Sequence, residues 1–437
     1  MGITQKSIAI VGAGISGLVL AYQLKKKGNH VTVFESSSTT GGKIKTAQRD
    51  GFELDLGPVS CAETPALREL INELNLETEV LIAQSAVSRR YIFSKGKIHA
   101  VEPSPPKLLT HPMLSFGGRI RLLKDLFIKP SAEQIEDETV GQFVARHFGE
   151  EAHQKLFNPI LNGIYAGDSE ALSISSTLPL VKRLAKEYGS VIKGLRKEKD
   201  KLKRGRKIIS MKGGFSKLME ALQANLDSHV HLSAEVASIK LNDERPVLIV
   251  KEGNDEKQLS FDKVFLTVPA FVSASLLKDA DIEISDLLKK IKYTNVSQIY
   301  CEVELNDKGT FDGFGFLVPA EECLSLLGAI CISNIFPHKA PEGKKLFALF
   351  CGGDRSYPFD ARVEDAIKEF NSILKPATIH MLRVQEWSNA IPQFHVGHQT
   401  ILQQLQSFEN KNPAIAFAGN YVSGVSLGDC VEYATKF

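Results

Sequence analysis

Hydrophobic and polar positions near the N-terminus alternate in a strand–turn–helix–strand order. Ser7-Ile-Ala-Ile-Val11 is a short, β-branched apolar run, the pattern of a buried parallel strand. Gly12-Ala13-Gly14-Ile15-Ser16-Gly17 follows directly, and Leu18, Ala21, Tyr22 and Leu24 then recur at helical spacing. Lys25 to Lys27 supply positive charge to the last turn and Gly28 is the stop. Val31-Thr-Val-Phe34 predicts a second strand, ended by Glu35. Further on, Val230–Ser233, Val247–Lys251 and Lys263–Val268 read as strands, the last closed by Pro269. Gln298–Val303 and Leu346–Phe350 suit a second sheet, and the stretch from about Pro105 to Arg206 reads as helical.

The N-terminal order is that of a dinucleotide-binding fold, and each part has a task. Gly12 permits a tight turn, and Gly14 lets the backbone approach a pyrophosphate seated on the helix N-terminus. Gly17 allows close helix–strand packing, and Glu35 accepts hydrogen bonds from ribose hydroxyls. This pattern alone does not separate NAD from FAD.

Composition narrows the picture. The chain of 437 residues is long enough for two or three domains, and 43% hydrophobic with 24% charged residues is the balance of a soluble globular protein. A net charge of +2 gives no reason to expect a nucleic-acid partner. The six cysteines form no C-x-x-C pair and no zinc-type cluster, so free thiols in a reducing compartment are expected, with no metal. Ser7 to Leu24 is apolar enough to imitate a signal peptide or a membrane span, but its three glycines and the dinucleotide pattern argue against both. The chain is expected in the cytoplasm. One charge run stands out. Lys182 to Lys207 holds twelve Lys/Arg against Glu187, Glu198 and Asp200, which is either a solvated face or a contact with anionic lipid.

Gly41-Gly42-Lys43-Ile-Lys-Thr46 and Asp55-Leu-Gly57-Pro58 resemble the segments that follow the first acid in the amine oxidase and protoporphyrinogen oxidase superfamily. Gly163-Ile-Tyr-Ala-Gly167-Asp168 with Leu172-Ser173 is similar to a segment of the porphyrinogen oxidases that general amine oxidases do not show. The C-terminal Phe417–Glu432, with Gly419, Gly424 and Val425-Ser426-Leu427, resembles the same family's closing signature. Met211–Phe215, Lys97–Val101 and Ile391–His398 also fit, so the resemblance runs from end to end.

The resemblance implies an α/β (α+β composite) fold. A Rossmann-like FAD-binding domain would be assembled from discontinuous segments, 1–85, 207–275 and 380–437. A mixed-sheet substrate domain would comprise 86–104 and 276–379, and a helical, membrane-contacting domain 105–206. It implies noncovalent FAD held by Gly12 to Gly17, Glu35, Ser36, Gly42, Lys43, Gly57, Pro58, Val59 and Ser60, with Lys43 adding a cation beside the phosphates. Val236 would lie on the adenine side, Trp387 by the dimethylbenzene edge, and Val425, Ser426 and Leu427 against the ring, where a helix dipole favours reduced flavin.

The implied activity is six-electron oxidation of a porphyrinogen, protoporphyrinogen IX or coproporphyrinogen III, in haem biosynthesis, with oxygen as acceptor giving hydrogen peroxide. The flavin carries the redox chemistry, so no catalytic base or nucleophile of the protein is expected. Val59 stands where relatives often carry Arg or Asn, so substrate contacts are sought at His99, Lys97 and Arg90, and at Gly167. Haem-pathway enzymes are possible partners, and peripheral contact with the inner face of the cell membrane fits the basic run. Two other readings stand beside this one. The first is another flavin enzyme of the superfamily, such as a polyamine oxidase or carotenoid desaturase, with Tyr421 and Trp387 as its aromatic cage. The second is a non-catalytic flavoprotein.

Overall fold

A computed structural model describes residues 5–84, 89–101, 111–130, 137–199, 207–241, 245–306, 311–353 and 359–437. The expected N-terminal unit forms as β1 (Ser7–Val11), α1 (Ile15–Lys26) and β2 (His30–Phe34). These strands belong to a five-stranded parallel sheet in the order Val230–His231, β2, β1, Lys263–Leu266, Ile415–Phe417. N-terminal, middle and C-terminal segments therefore share one sheet, as the resemblance implied. β1 is central and apolar because both of its faces are covered. On one face lie α1, Ser216–Leu226 and Leu427–Ala434, and on the other a three-stranded sheet led by Ala234–Lys240. The strand expected over Val230–Ser233 is only two residues long, because Ser233 turns into the left-handed region (φ 52°).

A second, seven-stranded mixed sheet runs in the order Thr378–Pro392, Tyr293–Glu304, Lys345–Gly352, Leu326–Cys331, Gly315–Leu317, Arg90–Ser94, Lys97–Val101. The long hairpin-like pair Tyr293–Glu304 and Thr378–Pro392 dominates it. The expected domain start at 380 falls inside Thr378–Pro392, whose residues pair with Tyr293–Glu304 and not with the dinucleotide sheet. Helix Phe359–Leu374 covers one face through Ala366 and Phe370.

The third unit is helical, with Phe116–Leu123, Val140–Phe148, Asn158–Tyr165, Pro179–Tyr188 and Val191–Lys197. Local chemistry sets several starts. Ser115 and Ser190 cap their helices, and Thr139 with Gln142 forms a capping box. Phe143, Val144, Leu161 and Tyr165 bury against Ile92 and Val101, which joins this unit to the second sheet. Among the described residues no helix is long and apolar enough to cross a membrane. Residues 200–206 of the basic run lie outside the described residues.

Candidate flavin site

The nucleotide half of the site is built around α1. Gly12 adopts φ 103°, and a Cβ there would lie 2.8 Å from Val268 Cγ1. At Gly17 a Cβ would lie 2.0 Å from the Gly12 carbonyl oxygen, so helix and turn touch backbone to backbone. Gly14 differs, since a Cβ built there meets nothing within 4 Å. α1 begins at Gly14 without a side-chain cap. An open cradle at an uncapped helix start suits a pyrophosphate. Gly41 donates to the Ala13 carbonyl (2.8 Å) and lies beside Gly14, so the double glycine closes the cradle's rim. Ala13, Ile15 and Ser16 complete the turn, and Ser16 is buried against the C-terminal segment at Cys430.

Glu35 is fixed by two backbone donors. One carboxylate oxygen accepts from the Ala13 N–H (2.8 Å) and the other from the Ser37 N–H (2.9 Å). A carboxylate has about four acceptor positions, so lone pairs on Glu35 remain open to a further donor. Ser36 is exposed beside it. Ala234 donates to the Glu35 carbonyl (2.9 Å), which brings Val236 to the same side of the sheet edge.

Lys43 departs from expectation. Its ammonium donates to the carbonyls of Asn389 (2.6 Å) and Ala390 (3.0 Å), and lies over the Tyr293 ring. It ties the double-glycine loop to the long strand Thr378–Pro392 instead of reaching for phosphates. Burial lowers its pKa to about 8.

The turn at Gly57-Pro58 lies between the two sheets. A Cβ on Gly57 would sit 2.1 Å from the Lys43 carbonyl oxygen, so only glycine fits. On the other side Gln298 Nε2 donates to the Gly57 carbonyl (2.7 Å) and the Trp387 indole N–H donates to the Leu56 carbonyl. Trp387 thus backs the turn from the second sheet. Val59 turns its side chain into the cluster of Phe52, Leu54, Tyr300 and Ala348, and Ser60 follows it partly exposed. That apolar cluster accounts for an apolar residue at position 59.

Three other motif segments converge. Tyr165 to Asp168 docks on Gln393, whose Nε2 donates to the Tyr165 carbonyl (2.9 Å). A Cβ on Gly167 would lie 1.9 Å from Gln393 Oε1. Ala166 is left-handed (φ 48°), which makes the bend sharp. Ser173 donates to the Phe394 carbonyl (2.8 Å). His398, stacked on Phe394, bonds the Tyr421 carbonyl (2.9 Å), and burial lowers its pKa to about 4. The C-terminal helix Leu427–Ala434 starts as expected after Gly424, capped by Ser426, whose hydroxyl accepts from the Asp429 N–H (3.1 Å). Val425 packs by Tyr165 and Phe394, whereas the Leu427 side chain points into the dinucleotide-domain core.

The structure separates the remaining candidates. His99 and Lys97 stand on the edge strand opposite Trp387, six strand spacings or roughly 30 Å away. There they line a cavity of about 240 Å³ with Lys95, Met113 and Lys155. Arg90 stacks on Phe314 (4.6 Å). An aromatic cage from Tyr421 is not formed, because Tyr421 is 0% exposed and its hydroxyl bonds Ser273 (3.3 Å). Sequence reasoning missed Lys339. It is 1% exposed, bonded to Asp55 and to Glu53 (2.8 Å) behind the turn. It lies far along the chain in a short 3-10 turn, and no local pattern marks it. Among the described residues no His, Cys, Asp or Glu cluster could hold a metal. All six cysteines are free, and only Cys323 is exposed.

Fold and cradle together define a Rossmann-type flavin oxidoreductase. The profile of the flavin containing amine oxidoreductase family matches residues 15–436, and the chain belongs to this family, with FAD as its cofactor. It is 30% identical to the chloroplastic protoporphyrinogen oxidase of Nicotiana tabacum, over 97% of this chain and 83% of that one. It is 29% identical to the coproporphyrinogen III oxidase of Staphylococcus aureus (strain NCTC 8325 / PS 47), over 98% and 97%. A solved structure from Exiguobacterium sp. 255-15 superposes with a TM-score of 0.83 at 23% identity, covering 100% of this chain and 98% of that one, and so shares the fold.

Proposed function

We propose that this chain oxidises a porphyrinogen, protoporphyrinogen IX or coproporphyrinogen III, to the porphyrin, with oxygen as acceptor and hydrogen peroxide as product. FAD, bound noncovalently, supplies hydride acceptance at its ring. The chain's residues supply the cradle, the orientation and the exclusion of water. The observation that carries this reading is the meeting of two turns on one sheet. Gln298 and Trp387 hold the Gly57-Pro58 turn, and Gln393, just beyond Trp387 in the chain, holds the Tyr165–Asp168 turn. A substrate between them would face the ring on one side and Gly167 on the other. Names of the relatives point the same way.

Strand register puts Arg90 and His99 on the sheet face that carries Tyr300 and Gln298, through Gly315, Ile330 and Ala348 for Arg90 and through Ile92 for His99. Arg90, nearer by one strand, is the better candidate for a substrate carboxylate, and the His99 and Lys97 cavity is an outer one. The domain limits that suit this reading are those expected above, with the last boundary moved from 380 to the end of Thr378–Pro392.

Membrane contact belongs to the helical unit. Phe116, Ile120 and Leu123 are exposed at 78%, 54% and 37% and make one stripe on the helix, and Phe127 on the 3-10 turn that follows is 79% exposed. Lys193, Arg196 and Lys197 are exposed too, whereas Arg183 is bonded to Glu187 and Glu198. An apolar stripe beside exposed cations suits an anionic bilayer surface.

The deciding assay follows porphyrin fluorescence from each porphyrinogen under air, with peroxide measured alongside. A rise with one or both substrates is expected. A yellow, FAD-loaded protein that produces no rise with either refutes the proposal. Flotation with anionic liposomes tests the membrane contact, which equal recovery of the chain and its K193E/R196E/K197E variant would refute.

A further inference from the structure

Three consecutive carbonyls, those of Asp55, Leu56 and Gly57, each accept a hydrogen bond from the second sheet. The donors are the Tyr300 hydroxyl, the Trp387 indole N–H and Gln298 Nε2. Gln298 and Tyr300 are two residues apart on one strand and so share a face, and Val296 on that face pairs with Trp387. The amide orientation of Gln298 follows from chemistry, since a carbonyl only accepts and the nitrogen must face Gly57. Gln298 and Tyr300 are 3% and 0% exposed. Donors this buried act without competition from water. From the opposite side the Lys43 carbonyl leaves no space for a Cβ on Gly57 (2.1 Å). The turn is therefore gripped between its own domain and the substrate sheet, and it cannot shift unless that sheet shifts.

We propose that Gln298 and Trp387 are positioning residues that set the reduction potential of the bound flavin, by fixing the Gly57-Pro58 backbone against the ring. This rests on the placement of the ring beside that turn. Peptide dipoles close to an isoalloxazine tune its electronics, so a turn released from its donors changes the potential. Tyr300 acts two peptides further back, where the same loss costs stability only.

The test uses three near-isosteric variants of the FAD-loaded protein, Q298M, W387F and Y300F. The midpoint potential is measured by equilibration with a redox dye, beside the thermal midpoint. Q298M and W387F are expected to shift the two-electron equilibrium about tenfold, or about 30 mV, with FAD retained. Y300F is expected to lower the thermal midpoint and leave the potential in place. Pro58→Ala, which alters the turn itself, is the control. If P58A moves the potential and neither Q298M nor W387F does, the ring lies at the turn but the clamp does not tune it, and the proposal fails. If none of the variants moves it, the placement of the ring has failed and the proposal with it. Neither outcome depends on which substrate the enzyme oxidises.

Discussion

The ammonium of Lys339 is buried against the carboxylate of Asp55, the residue that begins the Gly57-Pro58 turn. Glu53 completes the group at 2.8 Å from Lys339 and also accepts from the Gly213 N–H (2.6 Å). Burial pushes the Asp55 carboxyl above its ordinary value, and Lys339 opposes that rise. The group thus joins the turn, the 3-10 segment between two strands of the second sheet and the Met211–Phe215 loop.

Lys339→Met is expected to cost about 3–5 kcal/mol of stability, because it leaves two carboxylates buried without their cation. D55N/K339M should recover part of that loss. Urea unfolding of wild type, both single variants and the double variant measures the coupling. Additive losses would show that the pair does not act as a unit.

Gly14 and Gly17 should respond differently to the same substitution. Gly17→Ala drives a Cβ to 2.0 Å from the Gly12 carbonyl and should destabilise the apoprotein. Gly14→Ala meets open space and should leave the apoprotein melting temperature unchanged. Its methyl group occupies the cradle, so FAD affinity should fall at least about tenfold, equal to about 1.4 kcal/mol. Thermal melts without FAD, paired with flavin fluorescence titrations, separate the two effects.

His398 predicts a pH dependence. Its folded pKa of about 4 lies below the ordinary 6.5, so between these values the unfolded chain binds the extra proton. The stability it contributes is therefore complete above about pH 6.5 and falls as pH drops toward 4, at most at about 1.4 kcal/mol per unit. His395 nearby lowers the His398 value further, and Asp137 raises it. His398→Gln should flatten the stability profile between pH 4 and 6.5 in urea titrations. An unchanged slope would assign the acid sensitivity to other groups.

Gly167→Ala should lower turnover while FAD stays bound, since a Cβ would lie 1.9 Å from Gln393 Oε1, displace that amide and break its bond to the Tyr165 carbonyl. Flavin absorbance after gel filtration, with porphyrin fluorescence, checks both halves. Loss of FAD together with turnover would place this turn in cofactor retention instead.

Much of the nucleotide half could be read from the chain alone, because its determinants are local. The glycine spacing from Gly12 to Gly17, the helical period of Leu18 to Leu24 and the position of Glu35 each act within one or two elements. Motif segments 163–173, 391–398 and 417–432 were also visible, but not that they touch. Their meeting depends on contacts such as Ser173 to Phe394 and His398 to Tyr421.

What the sequence by itself determined is the strand–helix–strand order, the glycine cradle and a dinucleotide as its ligand, because short-range periodicity and glycine geometry suffice for these, while the resemblance of the longer motifs made that dinucleotide FAD. What only the tertiary structure decided is which motif side chains turn inward. Lys43 reaches the carbonyls of Asn389 and Ala390, Val59 turns into the core and Tyr421 is sealed from solvent. The hydrogen bond from Gln298 to Gly57 spans 241 residues. Such pairings arise when two sheets close on one another, and side-chain direction there follows from packing and register, which no local pattern encodes.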